Sequence, residues 1–192
     1  MKQLLLCVAF SLFGLHSFAA VGDTTFVQGN MVNLNYYNNF DSTIVFPNGT
    51  KTYQKIIMIF TLGKYSCPAG TQYCADWDYT VQNFLMTKTG DTVELGRLIT
   101  PYANTSYARF PMTWKQRYTY DVTDLYSLLK DSATIRIHYS GYSGGFTANI
   151  TFAFIEGTPP RNVLGITKLW NRSVPFGNAN NPITSTIAPV TV

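Results

Sequence analysis

Residues 55–62, Lys55-Ile56-Ile57-Met58-Ile59-Phe60-Thr61-Leu62, form a run dominated by β-branched and apolar side chains. Runs of similar character occupy residues 92–99, 134–139 and 149–155. Their two-residue alternation and their β-branched and aromatic content are typical of β strands. Turn sequences lie between them, namely Asn48-Gly49, Thr89-Gly90-Asp91 and Ser143-Gly144-Gly145. These patterns predict an all-β protein.

A single stretch of the sequence predicts a helix. Asp121 and Thr123 can cap it, leucines at positions 125, 128 and 129 share one face, and Asp131 ends it. One short helix among about nine strands indicates an antiparallel β-sandwich of jelly-roll type.

The N-terminus predicts export. A short basic start precedes the apolar residues 4–13, and small residues at Ser17 and Ala19 occupy the two positions that signal peptidase reads. We therefore expect a signal peptide at residues 1–19, with cleavage after Ala19 or Ala20. The apolar run is shorter than the roughly 20 residues that a membrane-spanning helix needs. The mature protein is expected to be secreted or periplasmic, with no membrane span.

The composition argues against two other classes of site. Only 12% of the residues are charged, and the basic residues are scattered, so a nucleic-acid interface is not expected. His138 is the one histidine outside the predicted signal peptide, so a Cys/His metal site cannot be completed. We expect no metal site and no cofactor, although oxygen ligands alone leave calcium open.

Two cysteines, Cys67 and Cys74, remain outside the signal peptide. They lie seven positions apart across a segment that contains proline and glycine. In an oxidising compartment such a pair is expected to close a small disulfide loop.

The segment Cys74-Ala75-Asp76-Trp77-Asp78 is the first candidate for chemistry. Two carboxylates beside a large aromatic residue offer a general acid, a general base or a nucleophile. Asp78 is the better candidate, because a neighbouring carboxylate and an aromatic wall both raise the pKa of a carboxyl group. The alternative is that both aspartates are solvated and Trp77 packs at the sandwich edge. The residue types alone favour this alternative.

The segment Gly141-Tyr142-Ser143-Gly144-Gly145 matches the G-x-S-x-G string of a hydrolase nucleophile elbow. That elbow requires a strand before the string and a helix after it. Here a second strand is predicted to follow, so a glycine-rich hairpin is the better interpretation.

Several blocks occur in a characteristic order: Cys67-Pro68, residues 74–78, residues 95–102, residues 120–129 and residues 155–159. Together they resemble the N-terminal domain of bacterial peptide-N-glycosidase F, over roughly residues 46–177. The resemblance implies two jelly-roll domains packed side by side. It also implies an active site between them that cleaves the amide joining an N-glycan to asparagine.

The resemblance implies roles for individual residues. Asp78 matches the principal catalytic aspartate in its Cys-x-x-Trp-Asp setting, and Tyr142 matches an aromatic residue that contacts sugar. Trp77 and Tyr79 are further binding candidates, since aromatic faces pack on sugar rings. Two positions depart from the family: Tyr79 replaces an arginine, and Ser140 replaces a supporting glutamate.

These observations predict a signal peptide at 1–19, a peptide-N-glycosidase F-like N-terminal jelly roll at 20–170, and a linker into an absent second domain at 171–192. The chain is then the exported N-terminal half of an amidase acting on N-linked glycoprotein, inactive alone. The alternative is a non-catalytic glycan- or peptide-binding or assembly module on the same fold. Expected partners are an N-glycosylated protein, peptide or glycan, and a second jelly-roll domain or another exported protein.

Overall fold

A computed structural model of the protein describes residues 22–67, 76–103, 110–168 and 186. These residues form nine strands and one short 3₁₀ helix. The strands are β1 (Thr24–Gln28), β2 (Val32–Leu34), β3 (Asn38–Val45), β4 (Tyr53–Lys64), β5 (Thr80–Met86), β6 (Thr92–Ile99), β7 (Lys115–Asp121), β8 (Ser132–Tyr139) and β9 (Phe146–Glu156). The helix, η1, spans Thr123–Leu125. The predicted signal peptide and the predicted linker from 171 onward lie outside the described residues, apart from residue 186.

The strands form two antiparallel sheets. The five-stranded sheet has the order β1-β9-β4-β7, with β2 also paired to β9, and the four-stranded sheet has the order β3-β8-β5-β6. The predicted all-β, antiparallel, jelly-roll-like sandwich is therefore confirmed. No helix in the described ranges is long and apolar enough to cross a membrane.

The core lies between the sheets, where the alternation of each strand buries one face. On β9, Phe152 and Phe154 are fully buried, and Phe46 packs edge-on against Phe152 at 5.1 Å between ring centroids. Leu85 and Ile135 meet this layer from the four-stranded sheet. Each such side chain contributes about 1.5–3 kcal/mol through its burial.

The helix is shorter than the predicted stretch of residues 121–131. The predicted caps are wrong: Val122 is the N-cap, and no side chain makes a capping hydrogen bond. Asp121 Oδ1 instead accepts the Thr123 N–H at 3.1 Å just before the helix. The Thr123 hydroxyl accepts the Ile56 N–H at 3.0 Å, which ties η1 to β4. Asp131 adopts a left-handed backbone with φ 59° and turns the chain into β8. Contacts to the sheets, rather than helix periodicity, set the conformation here.

One end of the four-stranded sheet gathers segments that are distant in sequence. The registers Asn38↔Tyr139, Val81↔Tyr139 and Thr80↔Ile99 place the starts of β3 and β5 beside the ends of β8 and β6. Four segments therefore meet at this end, and we call it the site end: residues 36–37, 76–79, 100–102 and 140–142.

Candidate functional site

Thr100 fixes the backbone on both sides of Asp78. The Thr100 side chain is fully buried, its hydroxyl donates to the Trp77 carbonyl at 2.5 Å, and it accepts the Tyr79 N–H at 2.9 Å. The Thr100 N–H also donates to the Tyr79 carbonyl at 2.8 Å. Asp78, between the two held residues, keeps an exposed side chain. The site end thus presents this carboxylate to solvent from a fixed backbone.

Ser140 and Gly141 border the other side of this segment. Ser140 donates its N–H to the Thr80 carbonyl at 3.0 Å, and its Oγ accepts the Thr80 N–H at 3.1 Å. A β-carbon on Gly141 would lie 2.4 Å from the Tyr79 ring, so only glycine fits there. The pairing of β5 with β8 ends at Val81↔Tyr139, so Asp78 and Tyr142 each lie three residues beyond the last pair, at the same end of the sheet.

The site end that carries Asp78 also carries exposed aromatic rings. Trp77 is 43% exposed, and its ring centroid lies 5.2 Å from that of Tyr102. Tyr142 is 61% exposed and lies nearly parallel to Tyr37 at 6.3 Å between ring centroids. The site end therefore presents two exposed pairs of aromatic rings together with the exposed Asp78 carboxylate.

A survey of the carboxylates sets Asp78 apart. All ten Asp and Glu side chains of the sequence fall within the described residues. Seven form ion pairs: Asp41 with Arg136, Asp76 with Lys64, Glu94 with Arg97, Asp121 with Lys55, Asp124 with Arg161, Asp131 with Lys88, and Glu156 with Lys51.

Of the remaining three carboxylates, that of Asp23 also has an interaction partner. Asp91 lies in the turn between β5 and β6, at the opposite end of the sheet. The Asp78 carboxylate has no hydrogen bond or ion pair to any described residue. It is therefore an exposed carboxylate of the site end with no counter-ion among the described residues.

Comparison with known proteins points to one enzyme. The chain is 29% identical over 148 residues to peptide-N(4)-(N-acetyl-beta-D-glucosaminyl)asparagine amidase F of Elizabethkingia miricola, which covers 73% of this chain and 39% of that protein. The structure of this chain matches that of recombinant peptide: N-glycanase F with a TM-score of 0.53 and 27% identity, over 71% of this chain and 43% of that chain. PNGase F, a glycosylasparaginase from Flavobacterium meningosepticum, matches with a TM-score of 0.52 and 26% identity, over 72% of this chain and 43% of that one.

The chain carries a PNGase F-like domain. The resemblance inferred from the ordered sequence blocks is thus confirmed. No protein-family model matches the chain. The chain spans about two-fifths of the length of the relatives it matches, which limits the comparison to a part of each.

Within this PNGase F-like domain, Asp76 and Asp78 have different environments. The Asp76 side chain is 1% exposed and is ion-paired with Lys64, itself 9% exposed. Asp76 Oδ2 also accepts the Phe110 N–H at 3.3 Å. Asp76 therefore holds the segment of residues 76–79 in the interior, and its ion-paired carboxylate is not free to act beside that of Asp78.

Tyr79 is the predicted site residue that points least toward solvent. Its ring is half-buried and meets the fully buried Tyr139 ring edge-on at 5.7 Å. Tyr79 therefore packs at the base of the site end, whereas Trp77, Asp78 and Tyr142 are exposed.

Two other predictions concern cysteine and metal. The predicted disulfide joins Cys67 to Cys74, and Cys74 lies outside the described residues, so the pairing stays a prediction. The described residues contain no group of three or more His, Cys, Asp or Glu side chains that could hold a metal ion. The G-x-S-x-G string joins β8 to β9, and a strand follows it rather than a helix, as predicted. The predicted hairpin is wrong, because β8 and β9 lie in different sheets and the string crosses between them.

Sequence reasoning missed Thr100, Tyr102, Tyr36 and Tyr37. Thr100 and Tyr102 fall within a block that carries the resemblance, but nothing local assigns them a role. Tyr36 and Tyr37 precede that region. Their place at the site end follows from strand pairing over about a hundred residues, as between Asn38 and Tyr139.

Proposed function

We propose that this domain binds N-glycosylated protein or peptide at the site end and supplies Asp78 to hydrolysis of the glycan–asparagine amide. The observation that carries the proposal is that the exposed Asp78 carboxylate has no counter-ion among the described residues and shares the site end with exposed aromatic rings. The similarity to an asparagine amidase supports the reaction class.

In this reaction Asp78 acts as a general base. It removes a proton from water as the water oxygen bonds to the amide carbon of the asparagine side chain. The carbon–nitrogen bond then breaks, and the glycan leaves as an amine after its nitrogen gains a proton. The products are an aspartate side chain and a glycosylamine.

The reaction also needs a proton donor and a group that stabilises the developing oxyanion. The other carboxylates of this sequence are ion-paired, are otherwise partnered or lie at the far end of the sheet, so they do not supply a second acid here. We therefore propose that the present chain binds its substrate without turning it over.

The test combines a binding and a product measurement. The purified chain is titrated with an N-glycopeptide by calorimetry, and glycan release is followed by mass spectrometry as conversion of asparagine to aspartate. Binding without release is expected. Release by the chain alone, abolished in Asp78→Asn, would overturn the requirement for a second acid, and absence of binding would overturn the whole proposal.

The catalytic role of Asp78 is tested in the mature protein as its host produces it. The intact mass of that protein is measured first, to establish which polypeptide carries residues 20–192. Asp78→Asn in that polypeptide is expected to abolish glycan release while binding persists. Unchanged release would exclude Asp78 as the base.

A non-catalytic glycan- or peptide-binding module is the second candidate. Two observations favour it: the Ser140 hydroxyl is committed to the Thr80 backbone, and Tyr79 packs into the interior rather than facing the carboxylate. In this case the mature host protein binds glycopeptide but releases no glycan, with or without Asp78.

Export is part of the proposal. It rests on the predicted signal peptide at residues 1–19 and the predicted pair Cys67 and Cys74. N-terminal sequencing of the mature protein is expected to begin at residue 20 or 21. Mass spectrometry after alkylation, with and without reduction, is expected to show two cysteines protected until the reductant is added. Two freely alkylated thiols would contradict the disulfide.

A further inference from the structure

A cavity lies at the opposite end of the four-stranded sheet from the site end. Its volume is about 280 Å³, and it is lined by residues 85–89, 127–128 and 130–133. These residues belong to the end of β5 and its turn, the segment after η1, and the start of β8. The seven residues of β5 separate the cavity from the site end by about 20 Å. We call it the turn cavity, and the reaction proposed for Asp78 makes no use of it.

One wall of the turn cavity is apolar. Leu85 is 1% exposed, and Leu128 and Ala133 pack against the same hydrophobic core. An apolar cavity of about 150 Å³ is large enough to hold benzene. The turn cavity is larger, so it has room for a phenyl ring and for a polar group attached to that ring.

The rim of the turn cavity carries an excess of positive charge. Lys88 and Lys130 line it together with one acidic residue, Asp131. The Lys88 ammonium lies 3.9 Å from the Asp131 carboxylate, and both side chains are more than half exposed, so this ion pair is weak. Lys130 is exposed and forms no ion pair with any described residue. Two positive charges therefore border the cavity against one negative charge.

Hydroxyl groups at the rim are available to a ligand. Ser127 and Ser132 line the turn cavity, and their hydroxyls make no hydrogen bond to any described residue. The Thr87 hydroxyl, in contrast, donates to the Asp91 carbonyl at 3.1 Å and holds the turn. A serine hydroxyl can donate to a carboxylate, and a hydrogen bond to a charged acceptor is stronger than one to a neutral acceptor.

We infer that the turn cavity binds a small organic carboxylate that has an apolar body. The apolar body packs on the wall, and the carboxylate lies at the rim, where it meets the two lysines and the two free serine hydroxyls. Apolar walls with a few polar groups that orient the ligand are characteristic of small-molecule sites in proteins. The excess of positive charge favours an anion over a neutral or cationic ligand of the same shape.

The experiment titrates phenylacetate into the full chain and follows the backbone amides by two-dimensional NMR. Saturable shifts are expected at residues 86–89 and 130–133 and not at residues 76–79. Phenylacetamide keeps the ring without the charge, and acetate keeps the charge without the ring. Each is expected to bind about tenfold more weakly than phenylacetate, because each lacks one of the two interactions.

Variants of the two lysines test the rim. Lys88→Gln and Lys130→Gln are each expected to weaken phenylacetate binding about two- to fivefold and to leave phenylacetamide binding unchanged. Both side chains are exposed, so the fold tolerates the changes. Lys115→Gln is the matched control, because Lys115 is an exposed lysine on β7 of the other sheet and forms no ion pair with a described residue. Its replacement should leave phenylacetate binding unchanged.

Three results would overturn this inference. In the first, phenylacetate shifts none of the amides that border the turn cavity. In the second, acetate or phenylacetamide binds as tightly as phenylacetate, so the wall or the rim plays no part. In the third, Lys115→Gln weakens binding as much as Lys130→Gln does, so the attraction is to the whole protein rather than to the cavity. None of these results bears on glycopeptide binding, because the turn cavity and Asp78 lie at opposite ends of the sheet.

Discussion

Replacing Lys64 by methionine removes the positive charge that neutralises Asp76 in the interior. The two side chains are 9% and 1% exposed, so the change leaves a buried carboxylate without its counter-ion. Breaking a buried ion pair from one side costs about 3–5 kcal/mol. A domain of this size has a total stability of about 5–15 kcal/mol, so the loss is large. Asp76→Leu should cost a similar amount, because it strands the ammonium group of Lys64.

The double variant Lys64→Met with Asp76→Leu should recover most of this loss. Both charges are then absent, and methionine keeps an apolar contact near the Phe146 ring, which lies 5.6 Å from the Lys64 ammonium. The double variant still lacks the carboxylate oxygen that accepts the Phe110 N–H, so this N–H loses its hydrogen bond. The net cost is therefore about 1 kcal/mol.

Urea unfolding at neutral pH, followed by tryptophan fluorescence, measures all four proteins of this cycle. Lys55→Met is the matched control, because the Lys55–Asp121 pair is 47% and 52% exposed. An exposed pair contributes less than about 1 kcal/mol. The reasoning is refuted if Lys64→Met costs no more than Lys55→Met, or if the double variant loses the sum of the two single costs.

Three further predictions concern neighbouring residues. Thr100→Val should lower the free energy of unfolding in urea by about 1–3 kcal/mol and weaken glycopeptide binding, because the Trp77 carbonyl and the Tyr79 N–H lose their partner. Thr100→Ser keeps the hydroxyl and should preserve both stability and binding. Gly141→Ala should lower the free energy of unfolding by about 1–3 kcal/mol, because the added β-carbon would lie 2.3 Å from the buried Tyr139 ring. Gly165→Ala is the control and should leave stability unchanged, because no atom lies within 4 Å of its β-carbon. A hydrogen bond from Lys55 lowers the pKa of the Asp121 carboxyl from its usual 3.8 to about 2. The ionised Asp121 carboxylate stabilises the fold fully above its unfolded pKa, and this stabilisation is lost as the pH falls through about 2. Asp121→Asn should therefore reduce the fall of the urea midpoint between the unfolded pKa and about pH 2.

The strands were predictable because their burial alternates along the chain. Residues 92–99 match β6 from end to end, and the runs at 55–62, 134–139 and 149–155 lie inside β4, β8 and β9. β4, β8 and β9 each bury alternate residues against the opposite sheet, so the local pattern carries the information needed. On β6 the buried Leu95 and Leu98 lie three residues apart, because the pairing with β5 shifts register there. The helix was less predictable, because the Thr123 hydroxyl binds the Ile56 backbone and commits that segment to β4.

Local sequence alone predicted the candidate site only at residues 76–79, and Tyr142 was predicted through the resemblance. Trp77 and Asp78 stand in one short segment beside a cysteine, and the similarity to a known amidase singles them out. Thr100 joins them through the pairing of β5 with β6. Tyr37 joins them through the order β3-β8-β5. The alternation of apolar and polar residues along one strand does not predict these pairings, because each depends on which strands become neighbours in the sheet.

The contrast between Asp76 and Asp78 shows what the packed structure adds. Two residues apart, both aspartates carry the same side chain beside the same tryptophan, and sequence reasoning treats them as a pair. Their roles diverge because Lys64, at the end of β4 in the other sheet, compensates one charge inside the protein. Thr100 meanwhile holds the backbone so that the other charge faces solvent. Most carboxylates of the chain are ion-paired, whereas the exposed Asp78 carboxylate has no counter-ion among the described residues, so its charge is available to a ligand.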